Sequence, residues 1–187
     1  ASDVYKRQVS AASVGHEVHI YEKNEKLGKK VYITGKGRCN VTNACDMDTL
    51  FQNIVTNPKF LYSSLYGFTN RDVMDLLEEC GCPLKTERGM RVFPVSDKSS
   101  DVIKALTRRL EELGVMVHYR QPVQDLLLED GRCVGLVLEK NREKVRGDAV
   151  IVATGGLSYQ ATGSTGDGYR FAKKAGHQVT AVSYTHL

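Results

Sequence analysis

No apolar run in this chain approaches the ~20 residues that a helical membrane span needs. The first residues, Ala1 to Gln8, carry no apolar core of the kind a signal peptide has. Cysteine is scarce and poorly spaced for paired chemistry. The 5 cysteines stand at positions 39, 45, 80, 82 and 133, an odd number with no CxxC and no histidine at zinc-finger spacing. That argues against a disulfide framework and against a structural metal site, and it points to reduced thiols in a cytoplasmic protein. Excess charge is also scarce. The net +4 is spread along 187 residues, which speaks against nucleic acid as the main partner, although a local basic cluster can still meet phosphates. Low-complexity tracts and true repeats are absent as well.

What is present reads as an ordinary globular chain, with 41% hydrophobic and 26% charged residues. Its length suits one domain with a sizeable core. Residues 9–14 read as the end of a helix stopped by Gly15, and residues 17–22 as a strand. Residues 23–45 are loop-rich and basic. Short helices are expected near 46–53 and 59–66. Thr69 to Asp72 has the form of a capping box. It opens a helix whose Val73, Leu76, Leu77 and Cys80 share one face, with Gly81 at its end. Residues 83–96 hold short extended pieces, among them 90–93. The next helix is capped by Ser99 or Ser100, carries an apolar stripe of Val102, Ile103, Leu106, Leu110 and Leu113, and stops at Gly114. A strand over 115–119 precedes a β-meander over 123–128, 133–139 and 144–146, with Asp130-Gly131 as a hairpin turn. The continuous apolar run in 148–154 predicts a fully buried parallel strand. A helix follows over 167–175. The fold class is therefore α/β: a partial Rossmann-like domain with a parallel sheet, helices and a β-meander. The segments 14–18 and 175–179 both read as helix end, Gly-His, strand start, which glycine capping alone explains.

Several positions carry chemistry. Glu22 ends the first strand. In open α/β sheets the ligand lies beyond the carboxyl ends of the strands, and an acid there can accept hydrogen bonds from a ribose. The bland alternative is an exposed acid at a strand end. The GxGxxG turn that belongs ~20 residues before such an acid is missing. Lys26, Lys29, Lys30, Lys36 and Arg38 lie among Gly28, Gly35 and Gly37. Glycines admit an anion close to the backbone and cations offset pyrophosphate charge, but no Walker A spacing fits, and a solvated basic loop is the plain alternative. Cys39 and Cys45 raise the thought of a redox dithiol. Five residues lie between them rather than the four of flavin disulfide reductases, so a single thiol packed near a cofactor is the other option. Ala153-Thr154-Gly155-Gly156 closes the second buried strand, either along a cofactor or as an ordinary turn. The glycine loop 162–168 opens a helix whose N–H groups favour anions, with Asp167 as its cap in the plain account. Tyr159 and Tyr169 flank that loop and suit simple packing. The histidines at 16, 19, 118, 177 and 186 show no ligand spacing and suit structural or solvent roles.

Together, Tyr21-Glu22-Lys23, Leu27-Gly28-Lys29-Lys30, the loop from Gly35 to Asn43, Gly89 to Pro94, and Ala153 to Gly156 followed by Thr162 to Tyr169 resemble the BaiN/YhiN-like bacterial FAD-dependent oxidoreductases over residues 9–180. The resemblance implies an FAD fold in which Glu22, followed by Lys23, holds the adenosine ribose and the backbone around Val123 meets the adenine. It lays Ala153, Thr154, Gly155 and Gly156 along the cofactor, with Gly166 and Asp167 in the loop beyond. It sets Gly28, Lys30, Gly35, Gly37, Arg38, Cys39 and Asn40 near the pyrophosphate and flavin. The implied chemistry is hydride transfer through FAD, with NAD(P)H as donor and an unsaturated or keto small molecule as substrate. The alternatives are a nucleotide-binding module without redox turnover, or a dithiol-type flavin reductase using Cys39 and Cys45. No acid–base residues are identified, and neither the choice between NADH and NADPH nor the oligomeric state is fixed. Family members carry a phosphate loop ahead of residue 9 and extend past residue 180. Residues 9–180 are therefore expected to be an incomplete FAD/NAD(P)-binding domain, an interior fragment with non-native tails at 1–8 and 182–187 that binds FAD poorly.

Overall fold

The computed structural model describes residues 11–157 and 164–180. The expectations for residues 1–8 and 182–187, for Tyr159, and for Thr162 and Gly163 lie outside the described residues. In chain order the first elements are β1 (His19–Glu22), α1 (Lys29–Ile33), a 3-10 turn (Thr34–Gly37), β2 (Thr42–Asn43), α2 (Met47–Gln52) and a second 3-10 turn (Pro58–Leu61). Then come α3 (Tyr62–Gly67), α4 (Asn70–Glu79), β3 (Leu84–Glu87), β4 (Arg91–Pro94) and α5 (Ser99–Glu112). The last are β5 (Met116–Tyr119), β6 (Val123–Glu129), β7 (Arg132–Leu138), β8 (Lys144–Arg146) and α6 (Asp167–Lys174). They fall into two compact units, one from the described parts of Ala1–Lys29 and Gly114–Leu187, the other Lys30–Leu113.

In the first unit β1 pairs with β5 in parallel, His19 opposite Met116 and Glu22 opposite Tyr119. The antiparallel meander runs in the order β6-β7-β8, as the alternating pattern predicts. Its hairpin turns at Asp130 and Gly131, both left-handed at φ 48 and 74, the conformation a two-residue turn between twisted strands demands. Ile20, Val115, Leu127, Leu138 and Phe171 are buried. The expected buried strand over 148–154 does not form: those residues carry no strand assignment, and Ile151 and Val152 are 44% and 39% exposed. A parallel strand exists only through a neighbour that takes its N–H and C=O groups, and among the described residues none pairs with this run. Asp167 is not the cap of α6 either. Gly166 holds that position with φ 78, and Asp167 occupies the first helical turn, where a negative charge complements the helix dipole. The Gly-His echo is plain helix termination. Gly15 and His16 donate to Ala12 and Ala11, and Gly176 and His177 to Lys173 and Ala172, the same closure twice.

In the second unit the sheet order is β2-β4-β3, antiparallel throughout. The capping box at Thr69 forms, with Thr69 and Asp72 exchanging side-chain bonds to each other's backbone. Leu77 and Cys80 of that stretch are buried, as are Val102, Ala105, Leu106 and Leu110 of α5, while Val92 and Phe93 of β4 are closed to solvent. The loop-rich basic stretch 23–45 also holds α1, a 3-10 turn and β2. Burial of Val31 gives α1 an anchored face, so packing overrides a weak local signal. One expectation fails in this unit: neither Ser99 nor Ser100 caps α5. Lys98 is the cap residue, without a side-chain bond. Ser99 is 2% exposed, and its hydroxyl donates to the Tyr32 carbonyl at 2.8 Å, so the group that would have capped the helix secures the end of α1 instead.

Candidate functional site

Glu22 stands at the carboxyl end of β1, half-buried. Its Oε1 accepts two bonds, from the Asn24 backbone N–H at 2.8 Å and from Asn24 Nδ2 at 2.7 Å. Its Oε2 has no partner among the described residues. The turn carrying it is tied to the chain just after β5: Gln121 N–H donates to Glu22 O at 2.9 Å and Arg120 N–H to Asn24 O at 3.0 Å. The Pro122 carbonyl then accepts from Glu139, which secures the entry to β6 at Val123. A free carboxylate oxygen thus sits where a parallel pair ends, beside an anchored backbone segment. That is where α/β sheets present their ligands.

Lys23, the next residue, reaches across the unit. Its Nζ donates to Thr165 Oγ1 at 2.8 Å and to Asp167 Oδ2 at 3.1 Å. Thr165 Oγ1 also donates to Asp167 Oδ2 at 2.8 Å. Burial alone would raise the Asp167 carboxyl, but the bonds from Thr165 and Lys23, the Lys23 charge and Arg170 together hold it below the ordinary carboxylate value. The same loop lies on the 154–157 segment. A Cβ on Gly168 would stand 2.9 Å from Thr154 Oγ1, and one on Gly166 would stand 2.6 Å from Leu157 Cδ2. A Cβ at either position would push a neighbouring side chain aside, and Gly166 is also left-handed. Glu22, Lys23, Val123, Ala153, Thr154, Gly155, Gly156, Gly166 and Asp167 therefore all belong to the first unit, and Lys23 links the end of β1 to the loop that covers Gly155. Gly28 is in this unit too, half-buried.

Lys30, Gly35, Gly37, Arg38, Cys39 and Asn40 belong to the second unit. There Arg38 is engaged by protein acids. Its Nε donates to Asp97 Oδ1 at 2.9 Å and its Nη2 to Asp97 Oδ1 and Glu87 Oε1, each at 2.5 Å. Lys85 adds a bond to Asp97 Oδ2 at 2.6 Å, and the guanidinium lies 4.2 Å from the Phe93 ring centre. The bonds to Glu87 and then Asp97 raise the Arg38 guanidinium above its ordinary value. Hydrogen bonds from Arg38 lower Glu87, and those from Lys85 and Arg38 lower Asp97. Asn40 is exposed, and Lys30 and Gly37 half-buried. Cys39 is buried and Cys45 half-buried, and neither is in a disulfide. Burial, with smaller effects from Asp101 and the neighbouring thiols Cys39 and Cys80, pushes Cys82 up to about 11.

Sequence reasoning missed three arrangements. Asn24 clamps Glu22 by donating to it from both its backbone and its side-chain amide, a short-range contact whose signal is an amide two residues after an acid. Arg38 has acid partners 49 and 59 residues away, beyond any local signal. His19 and His118 meet, Nδ1 to Nε2, at 2.9 Å, with the Tyr21 ring stacked on His118 at 4.6 Å. Only the register of β1 on β5 brings those rings together. No helix among the described residues is long and apolar enough to cross a membrane.

Comparison with known proteins adds the following. Residues 7–184 match the family described as HI0933-like protein Rossmann domain. The chain is 30% identical over 183 residues to the 3-dehydro-bile acid delta(4,6)-reductase of Clostridium scindens, covering 97% of this chain and 43% of that protein. It is 28% identical over 166 residues to the ribosomal RNA dihydrouridine synthase of Haemophilus influenzae, covering 88% of this chain and 41% of that one. The chain thus spans about two fifths of these relatives. Among solved structures, the open conformation of a flavocytochrome c3 fumarate reductase superposes with a TM-score of 0.63 at 20% identity, over 94% of this chain and 39% of that one. At that identity the likeness bears on the fold alone.

Proposed function

The chain belongs to the HI0933-like Rossmann-domain family, and from that premise we propose that it is part of an FAD-dependent oxidoreductase working in the cytoplasm, with NAD(P)H as donor and an unsaturated or keto small molecule as acceptor. The observation that carries the reading is the pair of links in the first unit. The free Glu22 Oε2 stands at the end of β1, and Lys23 joins that end to the glycine loop over Gly155. These residues fit the adenosine end of a dinucleotide. An ionised carboxylate is an acceptor only, so it suits ribose hydroxyls. The Gln121 to Val123 backbone beside it suits the adenine.

Bound FAD would supply the capacity to accept and pass on a hydride. The chain's own residues do the binding and orienting: Glu22 meets the ribose, Lys23 and Asp167 hold the strand end and the loop together, and Ala153 to Gly156 form a wall whose small residues admit close approach. Within the second unit Arg38 is occupied by Glu87 and Asp97, so it is not counted among the ligand contacts. In this reading residues 9–180 form an incomplete FAD/NAD(P)-binding domain. The unsaturated acceptor draws support from the relatives' names. One is a delta(4,6)-reductase and the other makes a dihydro product, and both names describe adding hydrogen across a carbon–carbon double bond. The test is flavin retention by a polypeptide of its relatives' length that carries this chain. It purifies yellow, and Glu22→Ala raises the FAD dissociation constant about tenfold, as losing a charged hydrogen-bond partner implies. A colourless parent, or a variant that binds FAD as tightly as its parent, refutes the proposal.

A further inference from the structure

We propose that Asn24 is a positioning residue for the ligand-binding carboxylate: by holding Glu22 Oε1 with both its N–H groups, it aims Oε2 at the hydroxyls of a ribose. This rests on the reading of Glu22 as a ribose acceptor and names the device that makes it one.

A glutamate at a strand end rotates about three side-chain bonds, and ordering it on ligand binding costs entropy. Here that freedom is removed beforehand. The backbone N–H of Asn24 at 2.8 Å and its Nδ2 at 2.7 Å converge on the same oxygen. Both lone-pair sites of Oε1 are taken, and Oε2 is left as the acceptor. Asn24 is itself held. Its carbonyl accepts from the Arg120 N–H at 3.0 Å, and the Lys29 ammonium lies 3.5 Å from Oδ1, on the side that turns Nδ2 toward Glu22. Gln121, two residues past β5, donates to the Glu22 carbonyl. Two strands and one amide therefore fix the direction of one carboxylate oxygen, which is pre-organisation in the ordinary sense: part of the cost of binding is met in folding. Asn24 is half-buried, and its side chain donates to the acid rather than accepting from the backbone as it would in an Asx turn.

The experiment is an amide NMR titration of the whole chain with two probes, adenosine diphosphate and 2′,3′-dideoxyadenosine diphosphate. The sensitivity extends to millimolar dissociation constants, so weak half-site binding is read directly. The variants are Glu22→Gln, Asn24→Ala and Asn24→Asp, the last isosteric but with a carboxylate oxygen facing Oε1 in place of a donor. In the wild type, adenosine diphosphate shifts the amides of residues 22–24 and binds more tightly than the dideoxy probe. Asn24→Ala weakens adenosine diphosphate about fivefold to tenfold, Asn24→Asp weakens it further, and neither changes the dideoxy probe by more than about twofold. A turn that had merely unravelled would weaken both probes alike, and that result overturns the positioning role. If Glu22→Gln loses the preference for the hydroxylated probe while both Asn24 variants keep it, the positioning role is overturned and the ribose reading stands. If the wild type shows no preference between probes, or no shifts at residues 22–24, the ribose reading falls and the positioning role with it.

Discussion

Replacing Lys23 with methionine isolates the link between β1 and the glycine loop. The substitution keeps the length and apolar stem of the side chain and removes its charge. The bare Coulomb attraction at 3.1 Å is about 5 kcal/mol at an effective dielectric constant of 20. That figure is not the net effect. The two side chains are 33% and 29% exposed, both lose hydration, and a long lysine loses rotamer freedom, so pairs of this kind retain up to about 1 kcal/mol. The bond to Thr165 keeps this pair at the upper end of that range, and about 1 kcal/mol is a roughly fivefold change in a local opening equilibrium. Deuterium exchange read by mass spectrometry on peptides covering α6 is the assay, because it reports opening of that helix rather than unfolding elsewhere. Lys23→Met should speed exchange there about fivefold at pH 7. The sign in acid follows from Asp167. Its folded carboxyl lies below the ordinary value, so the stabilisation is complete above the usual carboxylate range and disappears as pH falls through the folded value. The gap between variant and wild type should close with it. Equal exchange at pH 7, or a gap that persists in acid, refutes the reasoning.

Leu110 is 1% exposed on α5, so Leu110→Ala should cost about 2–5 kcal/mol, read as a shift in the denaturant midpoint followed by helical circular dichroism. A shift worth less than about 1 kcal/mol would contradict a close-packed core around that position. Cys82, raised to about 11 chiefly by burial, should resist iodoacetamide at pH 8 in the folded protein while half-buried Cys45 and Cys133 react. Its preference for the neutral thiol adds stability that is whole below the ordinary thiol range and is lost as pH rises through about 11. Alkylation of native Cys82 at pH 8 as fast as Cys45 would contradict this.

The elements legible in the sequence are those whose signal is local. The capping box at Thr69 needs only residues 69–72, the hairpin at Asp130-Gly131 only its two turn residues, and α5 only its apolar stripe. Each forms where periodicity places it. The misreadings share one cause, which is that a partner distant in the chain decides. Ser99 has the chemistry of a cap but finds the Tyr32 carbonyl, 67 residues away. The run 148–154 has the composition of a buried strand, but composition states only that burial is acceptable, and pairing is what makes a strand. Val31 anchors α1 within the loop-rich basic stretch because a buried contact outweighs propensity.

The same distinction changes how the candidate site is understood. In the sequence, cations among glycines read as a cradle for phosphate, and Glu22 reads as one acid beside them. In the folded chain Arg38 is neutralised by Glu87 and Asp97, and Lys23 by Asp167. Counting basic residues therefore overstates the positive charge offered to a ligand. What stays available at the end of β1 is an acceptor, Glu22 Oε2, which attracts hydroxyl groups and repels phosphate. Under the proposed function, this end of the site meets a sugar rather than a phosphate, and the charge of the neighbouring Lys23 is spent on Asp167.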